Sequence, residues 1–297
     1  MKLGIALLTG GSDLDTLLEQ VRTAREAGFD SAFFNQFASL DAISVAALAG
    51  RLNPGMEVGT AVAHIYARHP YALAEQALAA NAISGGTFTL GIGPSHKHMV
   101  EDLYGVPYER PAAHVRDYLT ALRPLLRGEP VDHRGETLSV KGRLTPPGAV
   151  APPVLLSALG PVMLRIAGEL ADGTMTTWTG APFIADYIAP RITAAAEAAG
   201  RPAPRIVTSV MVCVTSDPDR VRGELQAQMG FTGDFAAYRA VLDRQGLSGV
   251  HELLVAGDES AVEKEIARFE AAGVTDLVIS PLGSAEEQAR TFAYFSR

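Results

Sequence analysis

The feature that most constrains the fold is a regular alternation between short apolar runs and longer segments with apolar residues every three to four positions. The run Ile5–Leu8 is followed by Leu14, Leu17 and Val21 at helical spacing, and Gly28 ends that segment. A short run of this kind favours a buried strand, and the spacing that follows favours an amphipathic helix. The first unit is therefore predicted to be a strand followed by a helix that ends at Gly28.

The same order recurs along the chain, so that eight units can be counted. The later strands are predicted at Ser31–Asn35, Glu57–Val62, Thr87–Ile92, Val154–Ala158, Thr174–Trp178, Ile206–Val214 and Leu277–Ile279. The helices are predicted at Asp41–Arg51, Pro70–Ile83, Pro111–Arg127, Val162–Leu170 and Phe183–Ala199, through most of 217–273, and from Ala285 onwards. Strict alternation indicates a parallel sheet, and eight units favour a closed α/β barrel of the (β/α)8 type. We expect one domain over residues 1–297.

One segment interrupts the alternation after the fourth predicted helix. Residues 131–140 read as a small β-hairpin that turns at Arg134-Gly135, and a proline-rich stretch at 146–153 follows. Two short runs around a glycine-containing turn are typical of a hairpin. We interpret this segment as an insertion into the barrel and not as a linker between domains.

Charge and composition argue against several classes of partner. The formal net charge is −8 and the 25 basic residues are scattered, which disfavours nucleic acid as a partner. Cys213 is the single cysteine, so no disulfide can form within the chain, and a buried, unreactive thiol is expected. The sequence shows no apolar stretch of membrane length. We expect a soluble, cytoplasmic protein.

Ligands of such barrels bind at the carboxyl ends of the strands, so the residues that leave each strand are the candidates for a site. They are rich in glycine and apolar side chains and poor in carboxylates. The positions are Leu7-Leu8, Asn35-Gln36, Ala61-Val62 with His64, Gly91-Ile92-Gly93, Ser157-Ala158-Leu159-Gly160 and Thr177-Trp178. Neither the acid and base pair of a hydrolase nor the ligand set of a metal-dependent isomerase is visible. The pattern favours a platform for a flat redox cofactor.

Two of these strand ends allow a structural and a functional interpretation. Gly91-x-Gly93 lacks the third glycine and the acidic residue of a dinucleotide fingerprint, which leaves a tight turn or a close approach of backbone to a planar ligand. The segment Ser157–Pro161 joins a strand to a helix. It is either an ordinary turn with a serine cap or an anion site built from free N–H groups.

The histidines near the strand ends are candidates for proton transfer and not for metal binding. His64 and His96 follow the third and fourth strands and could overhang the site as proton donors. No Asp, Glu or Cys stands at a standard ligand spacing from them, so no metal is predicted.

Several short segments along the chain carry a resemblance to a known family. They are Gly59-Thr60-Ala61-Val62, Arg68-His69-Pro70, Leu90-Gly91-Ile92-Gly93-Pro94-Ser95-His96, 105–111, Ala158-Leu159-Gly160-Pro161 and 167–173. Together they resemble the luciferase-like superfamily, and within it the oxidoreductases that use coenzyme F420. The resemblance spans nearly the whole chain. It implies direct hydride transfer between a deazaflavin and a small organic substrate.

The resemblance also implies where the coenzyme would lie. Gln36 would approach the ring and tune it, Ala61-Val62 would support its face through a non-prolyl cis peptide, and Ser157–Gly160 would hold the phosphate. The catalytic candidates are Gln36, His64 and His96. The predicted coenzyme-binding residues are Leu7, Gln36, Thr60, Ala61, Val62, Gly91, Ile92, Gly93, Ser157, Ala158, Leu159, Gly160, Thr177 and Trp178.

Two other functions stay open: a two-component monooxygenase that uses FMN, and a flavin-binding barrel without catalytic activity. Many relatives carry aspartate or histidine where this chain has Asn35-Gln36, and proline at the place of His64. The substrate would contact loops such as 94–110, 130–150 and 228–236, which are the variable parts of such a fold. A homodimer is the expected assembly, as is common among relatives.

Overall fold

The computed structural model describes residues 1–296 and confirms the closed parallel barrel. Eight strands form it, in the order β1-β2-β3-β5-β8-β9-β10-β12, and β12 pairs with β1 to close it. Their bounds are β1 Lys2–Leu7, β2 Ser31–Phe34, β3 Glu57–Thr60, β5 Phe88–Gly93, β8 Val154–Ser157, β9 Gly173–Thr177, β10 Arg205–Val214 and β12 Asp276–Pro281. Every pairing among them is parallel.

The helices surround the barrel and begin where the sequence provides caps. They are α1 Leu14–Glu26, α2 Ala42–Leu52, α3 Pro70–Ile83, α4 Lys97–Tyr104, α5 Pro111–Leu126, α6 Pro161–Leu170, α7 Ala181–Phe183, α8 Ala189–Ala198, α9 Pro218–Met229, α10 Ala236–Gln245, α11 Glu259–Ala271 and α12 Ala285–Phe295. Asp13 and Asp41 cap α1 and α2 by accepting hydrogen bonds from Thr16 N and Ser44 N. Pro70 and Pro111 occupy first turns, as predicted, where a missing N–H costs nothing.

The apolar side chains lie in layers on the two sides of the barrel wall. Leu3, Ile5 and Leu7 of β1 pack outwards against the helices, whereas Ala6 packs inwards with Phe33 and Val278. This alternation follows from the two-residue period of a strand. A separate cluster around Cys213 and Trp178 lies under the helices α9 and α10.

Charged side chains close the amino-terminal end of the barrel. The guanidinium of Arg205 contacts Glu57 Oε1 at 2.8 Å and Asp276 Oδ1 at 2.6 Å, and the Thr89 hydroxyl donates to the same Glu57 oxygen at 2.7 Å. These residues come from β10, β3, β12 and β5. The barrel interior is therefore plugged at this end, and a ligand can enter the interior only from the opposite end.

Four local features differ from the sequence prediction. The third strand stops at Thr60, and a two-residue strand β4, Ala63–His64, continues beside β5. The loop 94–110 contains α4, which ends at Gly105 with a φ of 63°. The helix predicted at 183–199 begins as α7 and contains a π turn at Ile184–Ile188, directly before Pro190. A strand β11, Val255–Gly257, lies within the segment 217–273.

The predicted hairpin forms, with a longer turn than expected. Strands β6 Val131–Arg134 and β7 Ser139–Gly142 pair antiparallel, and Arg134 pairs with Ser139, so that residues 135–138 make the turn. The hairpin is pinned to α5 through Asp117. Its carboxylate accepts from Thr137 N at 2.8 Å and from the Thr137 hydroxyl at 2.9 Å, and it contacts His133 Nε2 at 3.2 Å.

Candidate active site

The carboxyl-terminal end of the barrel is lined by small and uncharged side chains. Strand alternation places Asn35, Ala61, Ser157 and Thr177 above the inner apolar layer of Phe33, Leu155 and Met175. All four are only partly buried. The exposed Leu8, which is 55% accessible, stands at the end of β1 on the same side as Ala6. We refer to this surface as the mouth.

The same alternation turns several of the predicted coenzyme-binding residues away from the mouth. Leu7, Ile92 and Ala158 are buried in the layer between barrel and helices, and Thr60 is fully buried, with its hydroxyl donating to Gly91 O at 2.7 Å. Trp178 lies in the cluster around Cys213 and has a φ of 57°. The prediction treated whole strand ends as one surface, whereas only every second side chain can face the interior.

The peptide bond between Ala61 and Val62 is cis, as the resemblance implies. Both side chains pack with the inner apolar layer of the barrel. Residues 60–62 lie in close contact with the neighbouring strand β5. A Cβ atom on Gly91 would lie 2.0 Å from Thr60 O, and one on Gly93 would lie 2.8 Å from a methyl of Val62. The two glycines therefore make room for this part of the protein itself, and neither interpretation from the sequence anticipated that role.

The loop after β8 leads to an open helix amino terminus. Gly160 is the N-cap of α6 with an extended backbone, and no side chain caps the helix. A Cβ atom on Gly160 would meet nothing within 4 Å. Free N–H groups and the positive end of the helix dipole in open space are suited to an anion. Ser157 lies beside Gly93, whose added Cβ would be 3.2 Å from Ser157 Cβ.

Gln36 is held by the protein and not directed freely into the mouth. Its Oε1 accepts from Ala42 N at 3.1 Å, at the first turn of α2, and from Arg68 Nη2 at 3.4 Å. Arg68 in turn forms an ion pair with Asp41. Gln36 therefore links the end of β2 to the helix that follows. Asn35 makes a comparable link to β1, since its Oδ1 accepts from Thr9 N at 2.8 Å.

His64 and His96 lie near each other at the mouth, and both are uncharged at neutral pH. Burial lowers the pKa of His64 to about 4, with Arg68 and His96 contributing in the same direction. Burial also lowers the pKa of His96 to about 4. His64 Nδ1 lies 2.8 Å from the hydroxyl of Tyr104. Roughly one imidazole in a thousand would be protonated at pH 7, so these residues are hydrogen-bonding groups and poor acids there.

Two further residues face the mouth that the sequence prediction did not include. Ser209 on β10 pairs in register with Thr177 and shares the inward parity of Val207, and Ser280 on β12 shares that of Val278. Both are partly buried. Extending the two-residue period along β10 and β12 would have identified them. They add two hydroxyls to the mouth, whereas Met211, two residues after Ser209, packs against the cluster of Cys213 and Trp178.

A cavity of about 430 Å³ adjoins this end of the barrel, between α4 and the segment before α10. Its walls include His96, His98, Tyr108 and Phe235. The centroid of the His96 ring lies 4.6 Å from that of the Phe235 ring and 4.9 Å from that of the Tyr238 ring. The cavity therefore combines the loops 94–110 and 228–236, which the sequence analysis associated with substrate.

Metal ligands, membrane-length helices and the single cysteine remain to be placed within residues 1–296. No group of three or more His, Cys, Asp or Glu side chains could hold a metal ion in residues 1–296. Across the same range, no helix has the length and apolar character needed to cross a membrane. Cys213 is fully buried, and burial raises the pKa of its thiol to about 11.

Comparison with known proteins identifies the family. The profile of the luciferase-like monooxygenases matches residues 1–294, and the chain belongs to this family. One relative is a Mycobacterium tuberculosis protein that carries the provisional name coenzyme F420-dependent oxidoreductase; it is 29% identical over 97% of this chain and 96% of its own length. Another is the 5,10-methylenetetrahydromethanopterin reductase of Methanolobus tindarius, 27% identical over 70% of this chain and 64% of its own length.

Solved structures agree with the fold. The coenzyme F420-dependent tetrahydromethanopterin reductase of Methanopyrus kandleri superposes with a TM-score of 0.81 at 23% identity, covering 99% of this chain and 97% of that one. The oxygenating component of 3,6-diketocamphane monooxygenase from Pseudomonas putida, in complex with FMN, superposes with a TM-score of 0.77 at 18% identity, covering 100% and 97%. At these identities the likeness shows the barrel and its connectivity.

Proposed function

We propose that this protein is an oxidoreductase that uses coenzyme F420 to transfer hydride to or from a small organic substrate. The observation that carries the proposal is the match, over nearly the full length of both chains, to a relative named for coenzyme F420. The mouth agrees with it, because uncharged side chains and an open helix terminus suit a planar ring with an attached phosphate.

The geometry supports the following assignment of residues to the coenzyme. Ala61 and Val62 offer a small apolar surface for one face of the ring, and Ser157 and Thr177 offer hydroxyls at its edge. The N–H groups at the start of α6 would donate hydrogen bonds to the phosphate, since Gly160 leaves that space open. The residues present therefore fit a deazaflavin of this type.

The bound coenzyme would supply the hydride-carrying carbon, and the protein would supply position. The cavity beside His96 and Phe235 would orient the substrate against the ring, which lowers the entropic cost of reaching the reactive geometry. The Tyr104 hydroxyl and the neutral His64 form a hydrogen-bonded pair that would position an oxygen of the substrate by hydrogen bonding.

Substitution of Gly160 tests the phosphate site. Gly160→Glu places a carboxylate beside the helix terminus and should weaken coenzyme F420 binding by about tenfold or more, since like charges then meet at the anion site. Gly160→Gln has nearly the same shape without the charge and is the matched control. Fluorescence titration measures both affinities. Equal affinity of the two variants and the unaltered protein would refute the phosphate site.

The alternative cofactor is FMN, because one structural neighbour was solved with FMN. An FMN-dependent monooxygenase would consume oxygen when supplied with reduced FMN and substrate. An enzyme that uses coenzyme F420 would instead oxidise the reduced coenzyme without oxygen when a carbonyl substrate is present. The absorbance of the coenzyme follows this oxidation. Tight binding of coenzyme F420 with no turnover across a panel of such substrates would support a barrel without catalytic activity.

We also propose that the protein is a cytoplasmic homodimer that acts on a small molecule, with neither nucleic acid nor membrane as a partner. The dimer is supported by Leu48, Leu52 and Ile83, exposed large apolar side chains on the neighbouring helices α2 and α3. Light scattering coupled to gel filtration should give twice the mass of 31.3 kDa. A mass of one chain would contradict the dimer.

A further inference from the structure

A second cavity, of about 500 Å³, opens at the amino-terminal end of the barrel, opposite the mouth. Its wall carries four guanidinium groups, from Arg123, Arg127, Arg201 and Arg205, and a single carboxylate, from Asp172. Such an excess of cations around a concave surface favours an anion as ligand. The question is how far these charges are already compensated by the protein.

Two of the four arginines are fully matched by carboxylates and two are not. Arg205 contacts both Glu57 and Asp276, and Arg127 contacts Glu129 at 2.7 Å. Arg123 and Arg201 instead share one oxygen of Asp172, at 3.4 and 2.8 Å. The other oxygen of Asp172 accepts from Val154 N at 2.8 Å.

Arg123 and Arg201 also have a structural role that leaves donors unused. Arg123 Nη1 donates to Leu170 O and Arg201 Nη2 donates to Ala171 O, both at 2.7 Å, at the carboxyl end of α6. The hydrogen bonds described for each side chain engage one terminal nitrogen, so the other nitrogens of both guanidinium groups can donate to a ligand. Both side chains are about four-fifths buried.

The electrostatic environment of Arg123 also favours an anion at this site. Burial lowers the pKa of Arg123 from its usual value, and the nearby Arg201 and Arg127 lower it further, against the opposing effect of Asp172. An anion placed between Arg123 and Arg201 would relieve this repulsion. Forked guanidinium groups are suited to two-point contacts with phosphate or carboxylate oxygens.

The remaining wall is apolar and rigid. Pro152, Pro153 and Pro202 line it together with Leu126 and Ala151. Proline fixes its own backbone angle φ, so this part of the cavity is largely preformed. The volume also exceeds what a bare phosphate ion needs, and the surplus lies against apolar atoms.

We propose that this cavity binds a small organic anion, with its phosphate or carboxylate group held between Arg123 and Arg201 and its apolar body against the prolines. The site lies at the opposite end of the barrel from the proposed coenzyme site. It does not depend on the proposed function, and occupancy of the two sites should be independent.

Calorimetric titration of the full chain with defined probes tests the proposal. Phenyl phosphate should bind at least about tenfold more tightly than inorganic phosphate, and benzyl alcohol should not bind, because both the charge and the apolar body contribute. Benzoate in place of phenyl phosphate shows which anionic group is preferred. Absence of saturable binding by both aromatic anions would overturn the proposal, as would equal binding of benzyl alcohol.

A variant pair locates the binding. Ala203 lines the cavity and is exposed, so Ala203→Glu adds a carboxylate without removing a hydrogen bond, and Ala203→Gln is its uncharged control. The Glu variant should lose about tenfold in affinity for phenyl phosphate and the Gln variant less than about threefold. Unchanged affinity in the Glu variant, or displacement of phenyl phosphate by coenzyme F420, would overturn the location.

Discussion

At the residue scale, the glycines at the end of β5 and the glycine at the start of α6 have different roles. Gly91 and Gly93 look like a ligand-binding turn in the sequence, yet the space where their side chains would stand is filled by Thr60 and Val62. Gly160, in contrast, faces open space. Packing therefore explains the first two glycines, whereas the third remains available to a ligand.

Substituting alanine at these positions should separate the two roles. Gly91→Ala brings a methyl to 2.0 Å from a backbone carbonyl and should reduce the free energy of unfolding by about 2 kcal/mol or more, as expected of overpacking. Gly160→Ala has room and an extended backbone, so its effect should be below about 1 kcal/mol. Urea denaturation measures both. An equal loss of unfolding free energy in the two variants would show that packing does not distinguish Gly91 from Gly160.

His64 should make stability depend on pH. The folded protein disfavours its protonation, since its pKa is lowered to about 4, whereas the unfolded chain takes up that proton near pH 6.5. The unfolded state therefore binds more protons between these values, and stability falls as the pH drops from 6.5 towards 4. In His64→Gln this decrease should be smaller. Thermal unfolding across that range measures it; identical slopes in both proteins would show that His64 is not the cause.

At the scale of elements, the hairpin β6–β7 depends on one buried carboxylate. Asp117 is 8% exposed and serves two donors of Thr137 as well as His133. Gly135 is required there, because a Cβ atom on it would lie 2.3 Å from the Asp117 carboxylate. The hairpin is thus fixed onto α5 by polar contacts, in addition to the burial of Val140 in the main core.

Asp117→Asn should loosen the hairpin. A neutral amide oxygen is a weaker acceptor than a carboxylate oxygen, so the hydrogen bonds from Thr137 weaken, at a cost of about 1–3 kcal/mol. Hydrogen exchange of residues 131–142 should accelerate while the barrel strands stay protected. Asp132→Asn, at an exposed position of the same hairpin, is the control. It should change neither the exchange of the hairpin nor that of the barrel strands. Unchanged exchange in Asp117→Asn would show that other contacts hold the hairpin.

Elements were predictable from the sequence to the extent that periodicity and caps mark them. Pro70, Pro111 and Asp41 signal their helices directly, and the alternation gives the barrel. The short helix α4 was missed because its polar start, Lys97-His98, follows no side-chain cap. The orientation of Leu7 and Trp178 was missed because strand bounds alone do not give the inward parity, and the positive φ of Trp178 depends on tertiary packing.

At the scale of the whole molecule, the barrel presents two different ends. The ion pairs of Arg205 with Glu57 and Asp276 plug the amino-terminal end and join three strands, whereas the other end carries neutral side chains and an uncapped helix. A cofactor ring fits the second environment, because there it meets small apolar and hydroxyl groups. The mouth is therefore the end of the barrel that we propose binds coenzyme F420.

Titration of the purified protein with coenzyme F420 and, separately, with FMN distinguishes the two cofactors at the mouth, with fluorescence as the signal. We expect saturable binding of coenzyme F420 at least about tenfold tighter than that of FMN, a difference of about 1.4 kcal/mol in binding free energy. Tighter binding of FMN, or no saturable binding of coenzyme F420, would refute the proposed coenzyme.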